Sequence, residues 1–366
     1  MTRVLFVGYL GRGQTSGMRC AAIRRLGHDV VVVDAGATWT GAGYLTRQLE
    51  QSMLRGSRIH RLNRAVLQAA AEHRPELVWL EKQEYLRSET IEGLRAGGAV
   101  VLHYNPDPYF SLTWKQNALA DACLPLYDVL VVTKRYEMEA YRLHCPGRIV
   151  YSPLGYDRIG HAPPTVRASP SSDIAFVGGW EPRRERLLTL ARELSDTVWV
   201  WGYGWRIAQG SRADPLRALR LGRLSPGRRM YFGAPSRTLA SSIGEGEGSN
   251  GEIYEERYSR AVAESRIALG LVREICPDEH TTRTFEIPAI GGFMLANRTD
   301  EHLELFEEGK EAEYFESDEE YRDKVRFYLA NDAARDCIAR AGHLRCMTSG
   351  YSYDDRIRVV MREIEA

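Results

Sequence analysis

The stretch DEHTTRTFEIPAIGGFMLA, residues 278–296, contains the local pattern from which the rest of the fold can be worked out. Its apolar second half has a helical period, reaches a pair of glycines and ends in a short strand-like run. A helix that stops at glycine before an apolar strand is typical of a sheet covered by helices. Glu286 lies inside the apolar part of this helix, where an unpartnered carboxylate would be costly to desolvate.

The same alternation of strand and helix runs through both halves of the chain. The strands RVLFVGY, DVVVVDA, AVVLHYN and YDVLVVTK alternate with helices, and the pattern restarts at DIAFVGGW. Continuous Val, Ile and Leu runs indicate parallel strands buried on both faces. We therefore expect an α/β protein with two Rossmann-like domains, each a doubly wound parallel sheet, facing a cleft.

Composition along the chain predicts the domain boundaries. A segment rich in Pro, Ser and Gly, residues 156–173, reads as an interdomain linker. We expect an N-terminal domain over 1–155, a C-terminal domain over 172–348 and a last helical segment over 349–366. An arginine-rich insertion at about 206–250 is either a solvated loop or a mobile basic loop that meets a phosphorylated acceptor or a membrane surface.

The overall composition limits the partners that the chain can have. Its formal net charge is zero, so no global field attracts nucleic acid, which is not expected as a partner. Six cysteines without a C-x-x-C pair favour a reduced, cytoplasmic setting and give no sign of a metal site. The first apolar run is typical of a strand rather than of a signal peptide. No apolar run in the sequence is long enough to span a bilayer. Peripheral attachment to a membrane remains open.

Candidate site residues follow two strands of the first half. Gly11 and Gly13 come after the first strand, where glycine lets a ligand approach the backbone, although a tight turn explains them equally well. His103 ends the strand AVVLHYN, and Asp107 follows in the segment PDP. These two are either a structural histidine with an Asp-Pro turn or contacts to the transferred group or the acceptor, including a general base.

In the second half, Gly179 ends a strand, and Arg183 and Arg184 open the next helix. Glycine permits close approach and a guanidinium offers paired donors, so this turn suits a pyrophosphate. The alternative is an exposed helix start without a ligand.

A second anion-suited helix start lies in the opening stretch itself. Thr281, Thr282 and Arg283 stand at or before the helix N-terminus, where free N–H groups, hydroxyls and a cation suit a phosphate. Glu286 follows within the first turns and could accept from both hydroxyls of a ribose. The alternative for Glu286 is a glutamate favoured by the helix dipole alone.

These residues resemble motifs of the GT-B glycosyltransferases, and within them the CgeB-like, spore-maturation-type group. The resemblance is carried by RTFEIPAIGGFMLAN, FEEGKE, SPLGYD and HYNPDPYF, and it covers nearly the whole chain. It implies an N-terminal acceptor domain, a C-terminal nucleotide-sugar domain and a final helix that crosses back to the first domain. It also implies that neither a metal nor another cofactor is required.

Related retaining GT-B enzymes carry a Glu-x7-Glu motif, in which the second Glu holds the nucleotide ribose and the first lies by the donor sugar. Glu286 matches the second position, whereas Asp278 occupies the first, so this chain reads Asp-x7-Glu. The resemblance implies a retaining glycosyltransferase that uses a nucleoside-diphosphate sugar, most simply a UDP-sugar, and an acceptor that the sequence does not specify. The alternatives are a nucleotide-sugar epimerase and a non-catalytic GT-B-like binding protein.

Overall fold

The computed structural model describes residues 1–41, 43–165, 169–205 and 251–365. The chain forms two compact units. The first unit contains Met1–Pro153 and Tyr353–Ala366, and the second unit contains Leu154–Ser352. The arginine-rich insertion, with its two interpretations, lies outside the described residues.

The first unit is built on a six-stranded parallel sheet with the order β2-β1-β3-β4-β5-β6. Its strands are β1 Arg3–Gly8, β2 Asp29–Asp34, β3 Leu77–Glu81, β4 Val100–Asn105, β5 Val129–Val132 and β6 Arg148–Tyr151. Its helices up to this point are α1 Thr15–Arg25, α2 Tyr44–Met53, α3 Ser57–His73, α4 Ser88–Ala96, α5 Ala118–Cys123 and α6 Met138–His144. The register is continuous across the centre, with Val4 beside both Val30 and Leu77.

The second unit is built on a five-stranded parallel sheet with the order β11-β10-β9-β7-β8. Its strands are β7 Ser172–Val177, β8 Val198–Trp201, β9 Ser265–Gly270, β10 Met294–Asn297 and β11 Glu313–Phe315. Its described helices are α7 Pro182–Arg192, α8 Glu255–Ala263, α9 Thr282–Ile290, α10 Asp300–Leu305, α11 Asp318–Ala330 and α12 Asp332–Thr348.

The opening stretch folds as its pattern predicts. Helix α9 ends at Gly291, whose φ of 84° places it in the left-handed region that glycine adopts without strain. A Cβ at Gly292 would lie 2.7 Å from Cγ1 of Val262, so the second glycine lets α9 pass close to α8. The chain can then enter β10 directly. Seven of the nine residues of α9 are buried.

The final helix, α13 Tyr353–Glu365, belongs to the first unit, as the fold prediction requires. Its first residue, Tyr353, stacks on the guanidinium of Arg19 at 4.9 Å, and Tyr104 covers the same guanidinium at 4.6 Å. Arg19 also pairs with Glu81 at the end of β3, and both side chains are buried. The ion pair between Arg25 and Asp354, at 2.7 Å, adds a second connection between α1 and α13.

The segment predicted as a linker is packed at its beginning. Tyr156, Asp157 and His161 are buried within the second unit, and the amide of Asp157 donates to Nδ1 of His161 at 3.0 Å. Interpreting all of residues 156–173 as a linker was therefore wrong. Proline and glycine here shape turns that carry buried polar residues, which composition alone does not distinguish from a free connection.

Among the described residues, no helix is long and apolar enough to cross a bilayer.

Candidate functional site

The second sheet has its switch point at β7, because β8 lies on one side of this strand and β9 on the other. Ligands of open α/β sheets bind beyond the carboxyl ends of the strands at such a point. A pocket of about 480 Å³ lies at these ends. Its lining includes Arg183, Arg184, Leu271, Arg273, Glu274 and Asn297.

The two neighbouring arginines of α7 have different environments. Arg184 is buried, and its guanidinium donates to the carbonyls of Gly179 and Leu271, each at 3.0 Å. It therefore joins the segments that follow β7 and β9. Arg183 is exposed, and within the described residues its side chain has no hydrogen bond or ion pair. Of the two predicted phosphate ligands, Arg183 is the one available to an incoming anion.

A chain of hydrogen bonds connects the N-terminus of α9 to this pocket. The amide of Thr281 donates to Oγ1 of Thr284 at 3.0 Å, and that hydroxyl lies 2.8 Å from Nε2 of His302. Nδ1 of His302 lies 2.7 Å from the carbonyl of Asn297, the last residue of β10. A neutral His302 that donates from Nδ1 must accept at Nε2. Thr282, the first residue of α9, is thereby held at the same end of the sheet.

Glu286 is 1% exposed and lies in a polar cluster inside the second unit. Its Oε2 accepts from the hydroxyl of Tyr258 at 2.9 Å and from the guanidinium of Arg283. Oε1 lies 3.5 Å from Nε2 of His161, a longer contact than those to Oε2. The two carboxylate oxygens are therefore held unequally.

Arg283 connects this cluster to the sheet. Its Nε donates to the carbonyl of Val177, the last residue of β7, at 2.9 Å, and its guanidinium covers the ring of Tyr258 at 4.5 Å. Burial by itself would raise the pKa of Glu286, but the charge of Arg283 holds the pKa below its usual range. Glu286 is thus ionised at neutral pH and keeps Arg283 in place.

Asp278 is buried in the loop after β9, where its Oδ2 accepts from Nε of Arg273 at 2.8 Å. Arg273 lines the pocket at the switch point, so the ion pair places Asp278 behind the pocket wall. The structure therefore brings Asp278, Arg183 and the start of α9 to one end of the second sheet.

The first unit has a separate small pocket, which both His103 and Asp107 line. Asp107 lies between two cations, 2.5 Å from Nζ of Lys82 and 2.7 Å from Nζ of Lys115. Its pairing with two lysines makes it a charged rim of the pocket rather than part of a plain turn.

His103 is buried at the base of that pocket. Its Nε2 accepts from the amide of Gln83 at 3.3 Å, so the neutral ring carries its proton on Nδ1. This Nδ1 is buried and has no hydrogen-bond partner among the described residues. The ring stacks on Tyr127 at 4.8 Å, and burial lowers the pKa of His103 to about 4. At neutral pH the imidazole of His103 is therefore uncharged.

Gly11 and Gly13 lie in the turn between β1 and α1 of the first unit. The amide of Gln14 donates to the carbonyl of Gly11 at 3.1 Å, and Gly13 has a φ of 75°. The turn accounts for Gly13 by itself. Gly11 and Gly13 belong to the first unit, whereas Arg183, Asp278 and α9 belong to the second.

Sequence reasoning missed three residues that shape the site. His161 was placed in the linker, and neither Tyr258 nor His302 was considered. Each acts through contacts with residues distant in the chain, so no local spacing identifies them. Within the described ranges, no group of three His, Cys, Asp or Glu side chains could hold a metal ion.

Comparisons with known proteins agree with this architecture. Residues 183–362 match the model of a family described as glycosyl transferase-like. Sucrose-phosphate synthase from Thermosynechococcus elongatus has a TM-score of 0.62 at 11% identity, covering 100% of this chain and 99% of that one. HepE from Anabaena, solved with UDP and glucose, has a TM-score of 0.62 at 12% identity, covering 100% of both chains.

A candidate UDP-N-acetylglucosamine 2-epimerase from Listeria monocytogenes has a TM-score of 0.52 at 10% identity, covering 98% of this chain and 95% of that one. A sequence search of curated proteins gave no significant match. The structural likenesses confirm the predicted GT-B fold, and the family match agrees with a glycosyltransferase-type enzyme. The CgeB-like subgroup remains a prediction.

The buried His103 makes a testable contribution to pH-dependent stability. Its pKa is about 4 in the folded protein against 6.5 ordinarily, so between these values the unfolded chain binds the extra proton. The free energy of unfolding should therefore fall by up to about 3 kcal/mol as the pH decreases from 6.5 to 4. In urea unfolding, His103→Gln should reduce this slope, while the exposed His73→Gln should leave it unchanged. An equal acid slope in wild type and His103→Gln would contradict this prediction.

Proposed function

We propose that the protein is a metal-independent, retaining glycosyltransferase that transfers a sugar from a UDP-sugar to a separate acceptor in the cytoplasm. The observation that carries the proposal is the pocket at the switch point of the second sheet. It offers Arg183, whose side chain has no ion pair or hydrogen bond among the described residues, and, through the hydrogen bonds of His302, a fixed helix N-terminus. The GT-B fold and the family match support the same reading, and the similar structure of HepE contains UDP.

The diphosphate would bind at the carboxyl ends of β7 and β9. Arg183 would supply paired donors, and Thr281, Thr282 and Arg283 would add hydroxyls, amides and a second cation at the start of α9. A Cβ at Gly179 would meet only the carbonyl of Tyr203, at 3.9 Å, among the described residues. Packing therefore does not require glycine there, which fits a place kept open for a ligand. Arg184 would hold together the segments that follow β7 and β9 rather than contact the phosphates.

These groups would also act in the chemical step. Negative charge grows on the diphosphate as the bond to the sugar breaks, and preorganised donors stabilise that charge without further reorganisation. Arg283 is already oriented by Glu286 and by the carbonyl of Val177. Arg283 would therefore contact the leaving group without having to change its orientation.

The ribose would bind at Glu286 through Oε1. This oxygen has only the 3.5 Å contact to His161, whereas Oε2 is held by Tyr258 and Arg283. A ribose hydroxyl could take over Oε1 without releasing Arg283. Binding would require a local opening, because Glu286 is 1% exposed.

Asp278 would contact the donor sugar, as its place in the Asp-x7-Glu spacing implies, after a local opening, because Asp278 is buried behind the pocket wall. Its ion pair with Arg273 fixes the position of a side chain shorter than the glutamate of related enzymes. In the first unit, His103 and Asp107 would face the acceptor, with the Nδ1–H of His103 as a donor and Asp107 held between two lysines. Gly11 and Gly13 would border the donor from the turn after β1.

A nucleotide-sugar epimerase is the second candidate, and the fold match to the Listeria protein favours it as an alternative. A non-catalytic GT-B-like binding protein is the third. The exposed Arg183 and the ionised Glu286 favour a nucleotide site in each enzymatic case.

We expect Arg183→Ala to weaken UDP binding by about tenfold or more, because one charge-assisted contact to phosphate is lost. Arg186→Ala is the matched control, since Arg186 lies on the same helix, is exposed and pairs with Asp318 at 2.5 Å. Isothermal titration calorimetry with UDP measures both variants. Equal affinity in Arg183→Ala and Arg186→Ala would remove Arg183 from the site.

The role of Glu286 can be separated from simple support of the fold by comparing UDP with 2′-deoxy-UDP. Wild type should prefer UDP by about tenfold to a hundredfold, the value of one hydrogen bond to a charged group. Glu286→Gln should lose that preference, whereas Tyr258→Phe, which removes a bond to Oε2 alone, should keep it. If Glu286→Gln weakens both nucleotides equally, Glu286 supports Arg283 and does not bind the ribose.

The activity itself is tested by a donor screen followed by NMR. Thermal shift with UDP, GDP, ADP and TDP sugars should show stabilisation by the UDP-sugars. The stabilising donor, incubated without acceptor, should hydrolyse slowly to UDP and a sugar of retained anomeric configuration. Accumulation of an isomerised nucleotide sugar would favour the epimerase, and the absence of any thermal shift would favour the non-catalytic protein.

A further inference from the structure

Helix α2 of the first unit presents an apolar face to solvent. None of its ten residues is buried. Leu45, Leu49 and Met53 are 68%, 60% and 64% exposed, and their spacing of four residues puts them on one face. Tyr44, at the start of the helix, is 55% exposed. An exposed apolar helix face of this kind marks an interaction site more often than a single exposed residue does.

The two faces of α2 are arranged in the opposite way to those of an ordinary surface helix, which buries its apolar face. Its half-buried positions are polar, namely Gln48, Glu50 and Gln51. The carboxylate of Glu50 accepts from the amide of Arg58 at 3.2 Å and from its guanidinium at 3.1 Å. A Cβ at Gly56 would lie 2.4 Å from the side chain of Glu50, so a glycine makes room for this inward carboxylate. The polar face is therefore fixed inward and the apolar face outward.

The surroundings of this face are strongly basic. Residues 44–64 contain five arginines against one glutamate, in a chain whose overall formal charge is zero. That single glutamate pairs with Arg58. The other four arginines are exposed, and their side chains have no hydrogen bond or ion pair within the part of the chain that the structure describes. They are Arg47, Arg55, Arg61 and Arg64.

We propose that α2 and the arginines around it form a docking surface for an anionic membrane. Leu45, Leu49 and Met53 would enter the boundary between headgroups and acyl chains, and the arginines would contact lipid phosphates. An uncharged partner would cover the apolar face but leave the four arginines unmatched, whereas an anionic lipid surface matches both.

Vesicle co-sedimentation with the full chain tests the proposal. Wild type should bind vesicles of phosphatidylcholine and phosphatidylglycerol, and bind pure phosphatidylcholine far less. The double variant Leu45→Ser/Leu49→Ser should lower the partition coefficient by about tenfold or more. Arg55→Gln/Arg61→Gln should lower it by about fivefold per arginine at low ionic strength. All four changed residues are exposed, so circular dichroism and melting temperature should stay at wild-type values.

Leu143→Ser is the matched control, because Leu143 is 75% exposed on α6 of the same unit, away from the basic segment in sequence. It should bind vesicles like wild type. Equal binding by wild type and Leu45→Ser/Leu49→Ser would overturn the proposal and assign the binding to another surface. Failure of wild type to bind would also overturn it, as would a self-association in ultracentrifugation that Leu49→Ser abolishes without any vesicle binding.

Discussion

The buried carboxylate of Glu286 is the interaction on which the functional end of the second unit depends. Taking a charge out of water is expensive unless partners replace its hydration. Those partners come from three places in the chain: His161 in the segment before β7, Tyr258 on α8 and Arg283 on α9 itself. Because Arg283 also binds the last carbonyl of β7, one carboxylate fixes a helix start, a loop and a strand end together.

The fold could be predicted from the sequence because the residue patterns that indicate its strands and helices are local. Continuous Val and Leu runs predicted the central strands, and the helix–glycine–strand pattern of residues 278–296 reappears as α9, Gly291 and β10. Helices α2 and α3 were not predicted. In α2 the apolar residues face solvent and the polar ones face the protein. The apolar positions of this helix therefore do not indicate which of its residues are buried.

The site could be predicted only in part, because its contacts join residues that are far apart in the chain. Sequence located Arg183 and Arg184 but could not distinguish them. Successive residues of a helix point about 100° apart, so one turns to the interior and binds two carbonyls while the other faces solvent. In the same way, spacing pointed to Asp278 but not to its ion pair with Arg273, and the linker-like composition around His161 concealed a buried residue.

The placement of α13 has a consequence for the order in which the protein is made. The sheet of the first unit is complete at Tyr151, but Tyr353, which covers Arg19, is translated some two hundred residues later. Domains generally fold as units during synthesis, with the N-terminal part first. The ring of Tyr353 can therefore cover the Arg19–Glu81 pair only after the second unit has been synthesised. The part of the protein that is synthesised first is thus the last to be finished.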